Sequence, residues 1–301
     1  MVALPTIARS IGLISKPSRQ WQFHTFRCLL LDSVSDSVKL RRLSDADSGI
    51  VELTLDRPGS KNAIGKDMLI GLQHSLETIN RDLSSKVLMM CSSVPKVFCA
   101  GADLKERKEM SPAEVQSFVN ALRSTFSLLE VLNIPTIAVI EGAALGGGLE
   151  MALSCDLRIC GENAVMGLPE TGLAIIPGAG GTQRLARLIG KSLAKELIFT
   201  GRTICGTEAS SVADCDAGLV NYCVPPSSAY SKALEIAREI NQKGPLAVRA
   251  AKRAINEGLD MDMASALRLE EKCYQQLLNT NDRLEGLKAF AEKRKPKYTG
   301  E

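Results

Sequence analysis

The sequence predicts an α/β protein, on three observations. Between Gly49 and Asp156, short branched-apolar runs of strand length alternate with stretches whose apolar residues recur every three or four positions. Two of the strand-to-helix joints pass through small-residue loops, Ala100–Gly101–Ala102 and Gly146–Gly147–Gly148. The last third of the chain is mostly helical in its periodicity. In such an alternation ligand loops gather at the carboxyl ends of the strands, so two of them can face one pocket.

Taken in order, residues 1–31 hold Arg9, Lys16, Arg19 and Arg27, several serines and no acidic residue before Asp32, the pattern of a mitochondrial presequence. Residues 32–48 read as a poorly defined lead-in, and ordered structure is expected to begin near Gly49. GIVELTLD, 49–56, alternates as a strand and breaks at Arg57-Pro58-Gly59. Met68, Leu69, Leu72, Leu76 and Ile79 form one apolar helix face. KVLMMCS, 86–92, is a second strand, followed by FCAGADLKER from Phe98, in which Asp103 is placed to cap a turn beginning at Leu104. Pro112 suits the first turn of a helix reaching about Leu132, with Val115, Phe118, Val119, Leu122, Phe126 and Leu129 at helical spacing.

From Ile137 a buried strand runs into Gly146–Gly148 and then a helix containing Leu149, Met151, Ala152 and Leu153. A glycine loop before a helix start is a ready anion site, because backbone comes close and the first N–H groups lack partners. Glu150 in the first turn would repel a phosphate, so the stretch reads as an active site and not a nucleotide loop. Glu170 follows Pro169 in a loop. Apolar Leu168 and Leu173 flank it, and Gly178–Gly181 follow before a helix from about Gly181, so partial burial with a raised proton affinity is expected. Helical patterns then cover 193–199, 207–214, 227–242, 245–257, 263–278 and 282–293, ahead of a basic tail. The simplest partition is a core over 49–225 and a helical region over 226–301.

Composition bounds the function. At 45% hydrophobic and 24% charged the chain is an ordinary globular one. No apolar run approaches the roughly 18 residues of a membrane span. Nine cysteines without a CxxC pair suit reduced thiols, and the two histidines, His24 and His74, argue against a metal centre or a Ser-His-Asp triad. Acid-base work falls to glutamates. Removing the four basic residues of the presequence takes Lys+Arg from 37 to 33 against 34 Asp+Glu, so no net basic field remains to hold nucleic acid.

LDRPGSKNA (55–63), FCAGADLKE (98–106), EGAALGGGLEMALSCD (141–156) and LPETGLAIIPGAGGTQRL (168–185), in that order, resemble the enoyl-CoA hydratase/isomerase (crotonase) superfamily. The resemblance covers nearly everything after Gly49 and is closest to mitochondrial hydratases of the 3-methylglutaconyl-CoA hydratase type. It implies a crotonase-like spiral of ββα turns with a C-terminal helical trimerisation region, a homotrimer or homohexamer, and a place in the mitochondrial matrix. The activity implied is addition of water to 2-enoyl-CoA in fatty-acid (β-oxidation) or branched-chain amino-acid breakdown, with 3-methylglutaconyl-CoA of leucine degradation as the alternative. CoA is then part of the substrate, and no cofactor or metal is implied.

By the same resemblance the N–H groups of Ala102 and Gly147 match an oxyanion hole, and Glu150 and Glu170 match the catalytic acid and base. Gly178 matches a backbone position beside the catalytic water. Ala100, Gly101, Asp103, Leu104 and Lys105 match the groove for CoA and the acyl chain. Asp103 reads equally as a helix cap, and Lys105, Arg107 and Lys108 as a solvated face with CoA phosphates as the alternative. A similar member binds AU-rich RNA through lysines along its first helix; Lys66, Ile70 and His74 stand here instead, which argues against RNA as a partner. No residue stands out as a cation for a substrate bearing a distal carboxylate.

Overall fold

The computed structural model describes residues 35–211 and 218–301. The expected presequence, 1–31, lies outside the described residues. The first strand, β1 (Val38–Arg42), pairs antiparallel with β2 (Ile50–Leu55). Residues 32–48 therefore carry an edge strand, where only a lead-in was expected. An edge is half solvated, so its Lys39, Arg41 and Arg42 hide the apolar face carried by Val38 and Leu40. Helix α1 (Lys66–Arg81) buries Met68, Leu69, Leu72, Leu76 and Ile79, the face its spacing predicted.

Three ββα turns follow. In the first, β3 (Val87–Ser92) and β4 (Val97–Cys99) lead to α2 (Leu104–Lys108) and α3 (Pro112–Glu130). Ser111 and Glu114 form a capping box at the start of α3, with Pro112 in its first turn. In the second, β5 (Thr136–Ile140) and β6 (Ala143–Leu145) lead to α4 (Gly147–Leu153). In the third, β7 (Leu157–Gly161) and β8 (Val165–Gly167) lead through a 3-10 turn, Pro169–Leu173, to α5 (Gly181–Ile189) and α6 (Lys191–Thr200). Then come β9 (Ile204–Cys205), α7 (Gly206–Ser211), β10 (Tyr222–Val224) and the helices α8 (Ala229–Asn241), α9 (Pro245–Gly258), α10 (Met263–Gln275) and α11 (Asn281–Ala291).

Each turn gives its first strand to one sheet and its second to another. The order is β1-β2-β3-β5-β7-β10 in the larger sheet and β4-β6-β8-β9 in the smaller. All neighbours run parallel except β1 with β2 and β8 with β9. This is the crotonase-like spiral of ββα turns. The parallel strands are apolar on both faces because both are covered. One face packs with α1, α3 and α4, through Leu72, Phe126 and Leu149 among others, and the other packs Met89, Ile137 and Ile159 against Ala229, Ala233 and Ile236 of α8. Each fully buried Leu, Ile or Phe adds roughly 1.5–3 kcal/mol of transfer free energy. No helix among the described residues is long and apolar enough to cross a membrane.

Candidate active site

The site grows from the joints of the three turns. LDRPGSKNA builds the ground beneath the first loop. Asn62 is fully buried in a left-handed conformation, φ 54°, and its amide donates to Ser92 Oγ at 2.8 Å and Phe98 O at 3.0 Å. Arg57 Nη1 donates to Asp103 Oδ2 and to Ala63 O, each at 2.7 Å. Asp103 Oδ1 accepts from the N–H groups of Lys105 and Glu106. Asp103 is thus a cap tied by an ion pair, and its carboxylate is taken up in holding α2.

Ala102 forms an isolated parallel bridge with Ile64, in which the Ile64 N–H donates to Gly101 O at 2.7 Å and Asp103 N–H donates to Ile64 O at 2.9 Å. Neighbouring peptides point alternately, so the Ala102 N–H faces the other way, toward α4. There Gly147 opens the helix and has no intrahelical acceptor. A Cβ at Gly147 would lie 3.5 Å from the Ala102 nitrogen, and one at Gly101 would lie 3.3 Å from the Gly147 nitrogen. Two N–H groups without an acceptor among the described residues therefore stand side by side. Gly148 permits the approach: a Cβ there would fall 2.2 Å from Cys99 O.

Glu150, one turn into α4, is buried, and its Oε1 accepts from the N–H groups of Ala179 and Gly181, both at 2.8 Å. Burial raises its pKa, while the two N–H donors and the charges of Arg184 and Arg123 oppose that rise. These arginines also shape the loop. Arg123 Nη2 donates to Gly178 O at 2.8 Å, and Arg184 Nη1 donates to Ala179 O at 2.9 Å while Nη2 holds Glu130 at 2.8 Å. Gly180, at φ 113°, leaves room for that guanidinium, since a Cβ would sit 2.0 Å from Arg184 Nη1.

Glu170 lies in the 3-10 turn, half-buried, with Oε1 3.0 Å from where a Cβ on Gly146 would be. Its Oε2 is buried without a hydrogen-bond partner among the described residues. Burial first, and then the charge of Glu150, push its pKa up to about 7, against lowering by its own backbone N–H and by Arg107. Leu168 is buried as expected, but Leu173 is 53% exposed, so one wall and not two covers this carboxylate.

Gly101, Ala102, Gly147, Glu150 and Glu170 therefore converge. Gly178 joins through its carbonyl on Arg123 and through its neighbour Ala179. Ala100 donates its N–H to Lys61 O at 3.1 Å, and Leu104 and Lys105 stand exposed on α2 beside the loop. Sequence reasoning missed Arg57 and Arg123, which touch the loops from elements far along the chain, and Arg184, which reaches back from the helix that follows its loop. The size of a cavity does not mark the place: one of about 650 Å³, lined by Leu153, Arg158, Arg184 and Lys252, opens at the opposite end of α4. Among the described residues no cluster of His, Cys, Asp and Glu could hold a metal.

The arrangement offers paired N–H donors for a developing oxyanion next to one carboxylate that accepts from two N–H groups and one that protonates near neutrality. The family model described as enoyl-CoA hydratase/isomerase matches residues 45–301. A probable mitochondrial enoyl-CoA hydratase 2 of Arabidopsis thaliana is 63% identical over 293 residues, 96% of each chain. The mitochondrial methylglutaconyl-CoA hydratase of Mus musculus is 48% identical over 270 residues, 88% of this chain and 84% of that one. The crystal structure of an enoyl-CoA hydratase from Bacillus anthracis superposes with a TM-score of 0.84 at 45% identity, over 88% of this chain and all of that one. The chain belongs to the enoyl-CoA hydratase/isomerase family.

Proposed function

We propose that the protein adds water across the 2,3-double bond of a 2-enoyl-CoA thioester to give the 3-hydroxyacyl-CoA, in the mitochondrial matrix and without metal or cofactor. The observation that carries this is the pair of unengaged main-chain N–H groups at Ala102 and Gly147 beside Glu150 and Glu170. Attack of water at the β-carbon drives negative charge onto the thioester oxygen. Two fixed N–H donors stabilise that charge, each worth about 3 kcal/mol by the cost of removing one such donor.

Two proton transfers remain. Glu150, whose Oε1 accepts from two N–H groups with the charges of Arg184 and Arg123 nearby, takes a proton from water. Glu170, protonated near neutral pH and with a free buried oxygen, delivers one to the α-carbon. Ala100, Gly101, Leu104 and Lys105 border the path of the thioester, and the Gly178 main chain borders the water.

A second reading is favoured by Arg107. This half-buried side chain on α2 makes no hydrogen bond or ion pair among the described residues, yet its charge is felt at Glu170. It is the cation an acyl chain ending in a carboxylate would need, which fits 3-methylglutaconyl-CoA as the substrate. Self-association as a trimer or hexamer is supported by apolar side chains left exposed on the C-terminal helices, such as Leu259 at 81%, Met263 at 74% and Phe290 at 87%.

A panel of enoyl-CoA thioesters tests the reading, followed by loss of the conjugated absorbance. Hydration of short straight-chain substrates is expected, and turnover of none of them would overturn the proposal. Preference for the 3-methylglutaconyl ester, lost in Arg107→Met while the straight chain is still turned over, identifies the second reading.

A further inference from the structure

Three thiols gather at the far edges of the two sheets, away from the glutamates. The register of β7 with β10 makes Cys160 and Cys223 direct partners, about 4.8 Å apart between strands. The two thiols influence each other's ionisation. Cys205 ends β9, opposite Val165 of β8. Glu162 ties the two cysteine strands together: Gly206 N–H donates to Glu162 O at 3.1 Å, and Glu162 N–H donates to Val224 O at 2.9 Å. Cys205 and Cys223 each precede one of those bonded residues. Cys160 Sγ in turn lies 3.9 Å from Gly206 O.

The three differ in access. Cys205 is exposed, Cys223 half-buried and Cys160 buried, and among the described residues no other cysteine is exposed. Cys205 Sγ sits 3.0 Å from Thr207 Oγ1, and that hydroxyl together with the backbone N–H of Glu208 holds the thiol below its ordinary range. Burial instead pushes the thiols of Cys99 and Cys155 up to about 12. An accessible thiol that ionises early, with further thiols behind it, is the setting in which oxidation is selective and recoverable.

We propose that Cys205 is a site of oxidation by hydroperoxides and that Cys223 resolves it as a disulfide. The Cys205 thiolate attacks the terminal peroxide oxygen, the O–O bond breaks, and hydroxide leaves from hydrogen peroxide or alkoxide from an organic hydroperoxide, giving the sulfenic acid. The Cys223 sulfur then attacks the Cys205 sulfur and the S–O bond breaks. The departing hydroxide takes the Cys223 proton as water, and the two thiols have supplied the two electrons that reduce the peroxide. Cys160, against Cys223, is where exchange would carry the bond inward. β9 pairs with β8, and β8 leads directly to Glu170, so the disulfide adds a covalent tie beside the strand that positions that carboxylate.

The test is treatment of the full chain with one equivalent of hydrogen peroxide, then peptide mapping with and without a dithiol reductant. The expected result is a Cys205–Cys223 cross-link, the loss of two hydrogens, reversed by the reductant. In Cys223→Ser, dimedone is expected to trap a sulfenic acid at Cys205; in Cys205→Ser, no cross-link should form. Circular dichroism checks that both variants fold. Oxidation that leaves Cys205 reduced, pairs it with Cys215, or is unchanged by Cys223→Ser would overturn the proposal.

Discussion

The segments that carry the two glutamates, 141–156 and 168–181, are built in opposite ways. In the first, every residue of α4 is buried, and Glu150 is fixed by its own helix below and by two N–H donors across from it. In the second, Glu170 rides a single 3-10 turn with Leu173 and Ile176 exposed, and one of its oxygens finds no partner. For Glu150 two backbone donors and two arginines oppose the rise that burial brings, whereas Glu170 is pushed up to about 7. What separates them is the supply of backbone donors, since burial raises the proton affinity of both.

Breaking the rigid segment is expected to have the largest effect. Gly147→Pro removes one N–H at a first-turn position that tolerates proline, and turnover should fall by roughly 10²–10³ with the fold intact. Gly147→Ala keeps the donor, and its Cβ would meet only ordinary contacts of 3.5–3.7 Å, so it should retain most activity. Equal losses in the two variants, measured by kcat with circular dichroism as control, would refute a role for that N–H.

Loosening the joint between the segments should cost less. Arg123→Met and Arg184→Met free Gly178 O and Ala179 O and so shift the donors to Glu150, with an expected ten- to hundredfold loss in kcat. The pH dependence of kcat/KM sharpens the contrast further. If Glu170 must be protonated, activity falls about tenfold per unit as pH rises beyond about 7, and this limb disappears in the residual rate of Glu170→Gln.

The smallest effect concerns stability. The folded-state pKa of Glu170, about 7, lies above its ordinary 4.5, so the folded state binds the proton more tightly than the unfolded chain does. The protonated carboxyl is tolerated at low pH, and stability is lost as pH rises from about 4.5 through about 7. Because the group is partly solvated, Glu170→Gln should raise stability at pH 8 by only about 1 kcal/mol, read as a higher Tm, with no gain at pH 4.

Much of this was legible in the residues. The Pro112 helix start, the apolar face of α1 and the Gly146–Gly148 joint are local, and local spacing reveals them. Glu150 could be singled out because a carboxylate in a helix first turn beneath a glycine loop is chemically pointed. Glu170 carries no such signal in its position alone; its flanks pointed to the partial burial that is found, but not to its packing against Gly146 in another turn of the spiral. The clamp of Arg57 on Asp103 and the hold of Arg123 on Gly178 join residues 46 and 55 positions apart, beyond any sequence period. The division of the strands into two sheets stayed hidden for the same reason. The charged strand β1 was masked by its edge position.

The central claim is that both carboxylates act on one thioester from these unequal settings. Its most direct test is the turnover of a short-chain 2-enoyl-CoA by Glu150→Gln and by Glu170→Gln, with folding verified for each. The account predicts losses of roughly 10²–10⁴ in both. A near wild-type rate in either folded variant would contradict it.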